Sequence, residues 1–263
     1  MSDGTAVNDG TAVRAGTAVR AGTAVWLYAV ATGVRQADLD GVVGVAAEQV
    51  RLIPWQGLTA VGGTVDLESF GEEALTRNLE DIDWLAATAR AHDTVVRAVA
   101  GAGVAMPARL ATVYLDDDRV RAWLTSREGD LTAVLRQLAD RAEWGVKVYR
   151  DDPAGPVEPT SGAAYLRQRR DQLAASRVAG KDAADVHAAL SAVAVAARLH
   201  PVQDSRLTGE RAVMLRNGAY LVDDGRAAEF TRLAADLGDR PGLRLAVTGP
   251  WPAYSFAGLG GDP

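Results

Sequence analysis

Twice along this chain the spacing of apolar residues passes from a period of two to a period of 3.6 and back, in the same order. Period two sets alternate side chains on opposite faces of a strand, while period 3.6 gathers every third or fourth on one helix face. In the first series Val25-Trp-Leu-Tyr-Ala-Val-Ala31 reads as a strand, with Trp26, Tyr28 and Val30 on one face and Leu27 and Ala29 on the other. Leu39, Val42 and Val43 predict a short helix over about 36–46. Strands near 48–54 and 57–63 follow, with Pro54 and Gly57 at the turn between them. The helical pattern is strongest over 83–100, where Leu85, Thr88, His92, Val95, Val96 and Val99 share a face, and Gly101 and Gly103 end it. Pro107 then introduces a strand over Ala108–Leu115, completing the order β-α-β-β-α-β.

A pair of helices bridges to the second series. Asp116, Asp117 and Asp118 read as a turn and helix cap ahead of Val120, Trp123 and Leu124. Asp130 is the expected cap of a second helix with Leu131, Val134, Leu135, Leu138 and Ala142 on one stripe. Trp144–Tyr149 opens the second series as a strand, and a proline-rich loop occupies 152–162. A long helix is expected over about 163–199, with Gly180 as the site for a kink, closed by Pro201. Asn217-Gly218, between Val213–Arg216 and Ala219–Val222, predicts a hairpin, because both residues tolerate the positive φ of a type I′ turn. Phe230, Leu233, Ala234 and Leu237 predict a helix ended by Gly238, and Leu243, Leu245 and Val247 a last strand over 243–248. The order is again β-α-β-β-α-β, which is the ferredoxin-like arrangement.

The fold class that follows is α+β, two tandem ferredoxin-like α/β sandwiches behind a disordered N-terminal repeat tail. The expected domains are 25–142, including the connecting helices, and 143–257, with a flexible end over 258–263. Ahead of them the hexad Gly-Thr-Ala-Val recurs from Gly4, Gly10, Gly16 and Gly22. A few coils of a hexapeptide β-helix would show such a period. Small residues with no large side chain before Trp26 favour a low-complexity tail over 1–24.

After the last strand, Gly249 and Pro250 are expected to stop pairing, and Trp251, Tyr254 and Phe256 follow at once. Such aromatics bury their rings on their own domain or present them to a partner. The first is favoured, since burying a large apolar side chain is worth about 1.5–3 kcal/mol.

Little in the chain resembles catalytic machinery. It has no cysteine, which removes disulfides, thiolate nucleophiles and zinc–thiolate sites and fits a reducing compartment. His92 falls on an apolar helix stripe and reads as a packed core residue. His187 lies beside the Val186–Leu190–Val193 stripe, and His200 precedes Pro201. No two histidines have metal-ligand spacing, and no serine sits in a nucleophile elbow. The aspartate run lacks the glycine and closing glutamate of a calcium loop. Gly62-Gly63 and the Gly258–Gly261 run lack the context of a phosphate cradle. Arg167, Arg169 and Arg170 read as a solvated basic patch. No catalytic, metal or cofactor residue is assigned.

No apolar run reaches the roughly 20 residues of a membrane span, and no secretory signal is expected at the start. Stacking of bases on Trp26, Tyr28 and Tyr114, as on other four-stranded sheets, is a competing reading. However, the basic glycine-aromatic pattern is missing, and a net charge of −6 opposes phosphate binding. A nucleic-acid- or small-ligand-binding module remains the alternative reading.

Five segments together carry a family resemblance. They are Val25–Val30, Pro107-Ala-Arg-Leu-Ala-Thr-Val-Tyr114, Glu143-Trp-Gly-Val-Lys-Val-Tyr149, Asn217-Gly-Ala-Tyr-Leu-Val222 and Gly249-Pro-Trp-Pro-Ala-Tyr-Ser-Phe256. In order and spacing the chain resembles the GvpL/GvpF family of gas vesicle proteins over about 25–257. Leu110-Ala111 stands where the family often has Phe-Gly, and Ala253 where a second proline is common. The resemblance implies a non-enzymatic accessory protein of gas vesicle formation, cytoplasmic and vesicle-associated. It would contact the hydrophobic shell protein and other accessory proteins. Trp26, Tyr28, Trp251, Tyr254 and Phe256 are the expected partner-binding residues.

Overall fold

A ten-residue strand, β1 (Thr23–Thr32), runs through the middle of the first of two sheets. The computed structural model describes residues 22–150, 161–202 and 212–258. The hexads before Gly22, most of the proline-rich loop and the last five residues of the expected flexible end lie outside that set. The described chain divides into two compact units, one up to Ala139 and one from Asp140 to Phe256.

In the first unit β1 pairs antiparallel with β3 (Leu58–Asp66) on one side, and with β4 (Val104–Pro107) and β5 (Val113–Tyr114) on the other. β2 (Val50–Trp55) lies outside β3, giving the order β2-β3-β1-β4. Two short helices, α1 (Leu67–Phe70) and α2 (Glu72–Asn78), lead into α3 (Ile82–Ala102). Thr88, His92, Val95, Val96 and Val99 of α3 are buried as the helical spacing predicts, with Ala24, Trp26, Tyr28, Ala29 and Ala31 of β1 in the adjoining core. Val25, Leu27 and Val30 are equally buried but outside that cluster, and face the other way. There α4 (Asp117–Ser126) and α5 (Glu128–Leu138) pack on β1, β2 and β4. A sheet covered on both faces explains why nearly every side chain of β1 is buried.

Several local expectations are corrected. The register slips between Leu27 and Ala29, so Tyr28 is an extra residue in the ladder. That bulge turns Ala29 toward the α3 face and Val30 away from it, breaking the alternation expected for Trp26, Tyr28 and Val30. The helix over 36–46 shrinks to a single 3-10 turn, Gln36–Leu39. The residues after it form a tight loop with Ala47 at φ 58° and an isolated bridge between Val43 and Gln49.

The strand expected over 108–115 shrinks to the two-residue β5, and Pro107 ends β4 rather than introducing a strand, because the main pairing with β1 falls earlier, at Val104–Pro107. Between β4 and β5 Ala108 N donates to Tyr28 O at 2.8 Å, and Leu27 N donates to Thr112 O at 2.9 Å. Asp116 caps α4 by accepting from Arg119 N at 2.8 Å. Asp130, by contrast, lies within the first turn of α5, because α4 and α5 meet at Arg127 and leave no room for a later start. Ala142 belongs to the next strand rather than to the α5 stripe.

The second unit is built on β6 (Arg141–Arg150), antiparallel to β8 (Val213–Asp223) and β9 (Leu243–Trp251). β7 (Ala196–His200) pairs with the far side of β8, giving the order β7-β8-β6-β9. α6 (Gly162–Val193) and α7 (Ala227–Gly238) share one core on the sheet. Ala183, Val186, Leu190, Phe230, Ala234 and Leu237 meet Val146, Val148, Tyr220 and Val222 there.

The element order matches the one read from sequence, but two of its strands differ. Residues 196–200, expected at the end of the long helix, form β7. The expected hairpin at Asn217-Gly218 is absent, because 213–223 is one unbroken strand. Asn217 and Gly218 pair with Lys147 and Val146 on one side and with His200 and Leu199 on the other. Glycine serves there for space rather than for a turn: a Cβ on Gly218 would lie 2.8 Å from the Tyr220 ring. Likewise β9 does not stop at Gly249 but continues to Trp251, opposite Glu143, after a register shift. Gly249 takes φ 134°, a backbone angle L-residues rarely adopt, where the chain makes that irregular step.

Candidate interaction surface

Of the five residues expected to meet a partner, three are buried, and two of these, Trp26 and Tyr28, lie in the core of the first unit. Trp26 and Tyr28 are each 0 % exposed. Trp26 Nε1 donates to His92 Nδ1 at 3.0 Å, and its ring meets Phe70 edge-on at 5.6 Å. An indole N–H can only donate, so Nδ1 of His92 is the acceptor and Nε2 carries the proton. Nε2 then donates to Ala108 O at 3.2 Å. Burial, which penalises the charged imidazolium, pulls the His92 pKa down to about 4. Tyr28 donates its hydroxyl proton to Glu48 and accepts from Val45 N at 2.8 Å. Burial first, and the Glu48 carboxylate second, hold that phenol well above its ordinary range. Both rings are therefore fastenings of the first unit, and their assignment to a docking face is corrected.

The C-terminal aromatics have a different setting. Trp144 faces the helix-side core, so its neighbour Glu143 points to the helix-free face of the second sheet. Ala197 also packs toward the helices, which sends Arg198 and His200 to that same open face. The 3-10 turn Tyr254–Phe256 is held over these three residues. Ser255 N donates to Glu143 Oε2 and its Oγ to Oε1, both at 2.7 Å. His200 Nε2 lies 3.0 Å from Ser255 Oγ, and the Arg198 guanidinium stands 5.7 Å from the Phe256 ring centroid. Ala253 and Phe256 are buried, Trp251 is half-buried, and Tyr254 is 39 % exposed. The segment thus folds back on its own sheet, with Tyr254 on the outside.

Glutamate, serine and histidine in one hydrogen-bonded chain invite comparison with a hydrolase triad. The connectivity is wrong for one. In a triad the carboxylate orients the imidazole, which in turn takes the serine proton. Here the carboxylate binds the serine directly from both its hydroxyl and its backbone amide, and the imidazole only completes the contact. This is a fastening for the tail. Glu143 and Ser255 each lie in a segment quoted for the family resemblance, but they are 112 residues apart and nothing local to either segment pairs them.

Two concave features among the described residues are shallow. One of about 310 Å³ lies beside Thr23, Arg51, Thr64 and Asp116–Asp118. Its charges are matched internally: Arg51 donates to both oxygens of Asp117 at 2.8 and 2.6 Å, and Arg121 to Asp118 at 2.9 Å. Hydrogen bonding from Arg51 holds the Asp117 pKa below the usual carboxylate range. Another, of about 590 Å³, runs between α7 and β9 along Ala234, Ala235, Leu243, Leu245 and Val247. Among the described residues no group of histidines and carboxylates is placed to hold a metal ion, and no helix is long and apolar enough to cross a membrane.

A pair of antiparallel sheets with helices packed on them is the fold of one known class of protein. The chain belongs to the family described as gas vesicle synthesis protein GvpL/GvpF, whose sequence profile matches residues 24–258. It is 40 % identical to Gas vesicle protein L of Streptomyces sp. (strain CB03234), over 89 % of this chain and 92 % of that one. To Gas vesicle protein F of the same organism it is 28 % identical, over 63 % and 75 %. The crystal structure of the gas vesicle protein GvpF from Anabaena sp. PCC7120 has the same fold, with a TM-score of 0.64 at 17 % identity, over 90 % of this chain and 97 % of that one.

Proposed function

We propose that this chain is a non-enzymatic accessory protein of gas vesicle formation. In this reading it binds the hydrophobic shell protein, other accessory proteins, or both during assembly, in the cytoplasm and at the vesicle. The observation that carries the reading is the family match over residues 24–258, which spans both units. Higher identity to protein L than to protein F of one organism favours an L-like role. We take the two units as tandem domains of ferredoxin-like ancestry, a reading supported by the matching orders β2-β3-β1-β4 and β7-β8-β6-β9.

The physical need for such a protein is plain. A shell subunit that lines a gas space carries apolar surface, and before assembly that surface is an aggregation hazard. A soluble acidic partner can cover it and hand it on. With Trp26 and Tyr28 in the core and Phe256 buried against its own sheet, the aromatic part of the proposed contact reduces to Tyr254 and the rim of Trp251. The test is a pull-down of the shell protein and the other accessory proteins of the same cluster by the purified full chain. Retention that drops when Tyr254 becomes Ala supports both role and surface. Capture of none of these proteins would overturn the role.

A further inference from the structure

Among the described residues, the amino-terminal half of α6 has no core beneath it. β6 ends at Arg150, which donates to Ser176 Oγ at 2.6 Å, and the helix continues past that contact for about 20 Å. From Ser161 to Val178 no described residue is buried, and the first that is buried is Ala179. In proteins most of a helix's stability comes from packing one face against other elements. This one nevertheless exposes Leu166 at 68 % and Leu173 at 50 %, with Tyr165 and Val178 on its flanks.

The outward leucines form a seam. Leu166 and Leu173 are seven residues apart, so they lie one above the other two turns away. Each sits thirteen residues before a core-facing position, Ala179 or Val186, which turns it about 140° away from the sheet. Arg169, Arg170 and Arg177 fall at helical spacings that border this seam. Over 162–178 there are four arginines against one aspartate, in a chain whose net charge is −6. Arg169 and Arg170 of the basic patch singled out in the sequence therefore lie along the rim of an apolar stripe.

We propose that this stripe is a docking site for an amphipathic helix with acidic flanks, supplied by an assembly partner. Charge selects that occupant. Two copies of the stripe packed together would oppose arginine to arginine, which costs rather than gains free energy. An acidic helix instead pairs its flanks with the arginines while its apolar face covers Leu166 and Leu173. The site is separate from the Tyr254 surface. It rests on the reading of this chain as an assembly protein only for who supplies the helix.

The test uses the full chain and a synthetic helical peptide with a leucine seam and glutamate flanks, followed by fluorescence anisotropy. Binding is expected with a Kd on the order of 10 μM at low salt, as suits a small interface. Arg169→Glu with Arg177→Glu is expected to weaken it at least about tenfold, and Leu166→Glu with Leu173→Glu to abolish it. These side chains are exposed, so circular dichroism and the melting midpoint should not change. Equal binding of the same peptide with lysine flanks, or none of the glutamate form, overturns the proposal. So does a dimer in sedimentation that the leucine variant dissolves, or binding to anionic phosphatidylglycerol vesicles in place of the peptide. If the peptide binds but no gas vesicle protein is captured, the site stands and the assembly role falls. Capture unaffected by the leucine variant has the reverse meaning.

Discussion

Acidification from neutral pH toward about 5 is expected to weaken the first unit through His92. In the folded chain its imidazole is neutral and bonded at both nitrogens, to Trp26 and to Ala108 O, with a pKa of about 4. Unfolded, it returns to about 6.5. Between those values the unfolded state binds the extra proton, so stability falls as pH falls through 6.5 and levels off below about 4. At pH 5 the two values give a loss of about 2 kcal/mol relative to neutral pH, approaching about 3 kcal/mol at the lower limit. Urea unfolding followed by tryptophan fluorescence at several pH values measures it, since Trp26 reports on the bonded pair. The comparison is His92→Gln, which keeps an acceptor and a donor but does not titrate. Its absolute stability should be lower by about 1–3 kcal/mol, the cost of imperfectly satisfied buried groups. Other titrating groups, including His187, which burial also pulls down, are common to both proteins and cancel in the difference. Equal pH slopes for the two proteins between 7 and 5 would refute the reasoning.

Other perturbations follow from the same contacts. Gly218→Ala puts a Cβ 2.8 Å from the Tyr220 ring and should destabilise the second unit by about 1–3 kcal/mol in urea melts, whereas a true type I′ turn would suffer through its φ and leave Tyr220 undisturbed. Glu143→Ala removes the acceptor of both Ser255 bonds and should release the C-terminal turn. A loss of about 1.5–3 kcal/mol of local stability is expected, read as faster hydrogen exchange at the Ser255 amide, and unchanged protection there would sink the fastening assignment. Asp116→Ala removes the cap that accepts Arg119 N and should cost about 0.5–2 kcal/mol, seen as a lower melting midpoint.

Patterning local to the chain decided most of the element order, because a helix face or a strand face is written into spacing alone. The α3 stripe from Thr88 to Val99 and the α7 stripe of Phe230, Ala234 and Leu237 are buried where the spacing places them. The segments quoted for the family resemblance likewise lie within the region matched by the family. Tertiary structure decided what local signals leave degenerate. Asn217-Gly218 favours a turn in isolation, but β6 and β7 pair along both sides of it, and ladder hydrogen bonds over eleven residues outweigh a two-residue preference. Residues 196–200 are too few to distinguish a helix end from a strand until β8 lies beside them. Trp26 and Tyr28 read as one accessible strand face, yet α3 covers that face while α4 and α5 cover the other. Conversely, Leu166 and Leu173 look like any helix interior until the sheet beneath them ends. Which apolar residues are left for a partner is a property of where neighbouring elements stop, and no spacing within a single element encodes that.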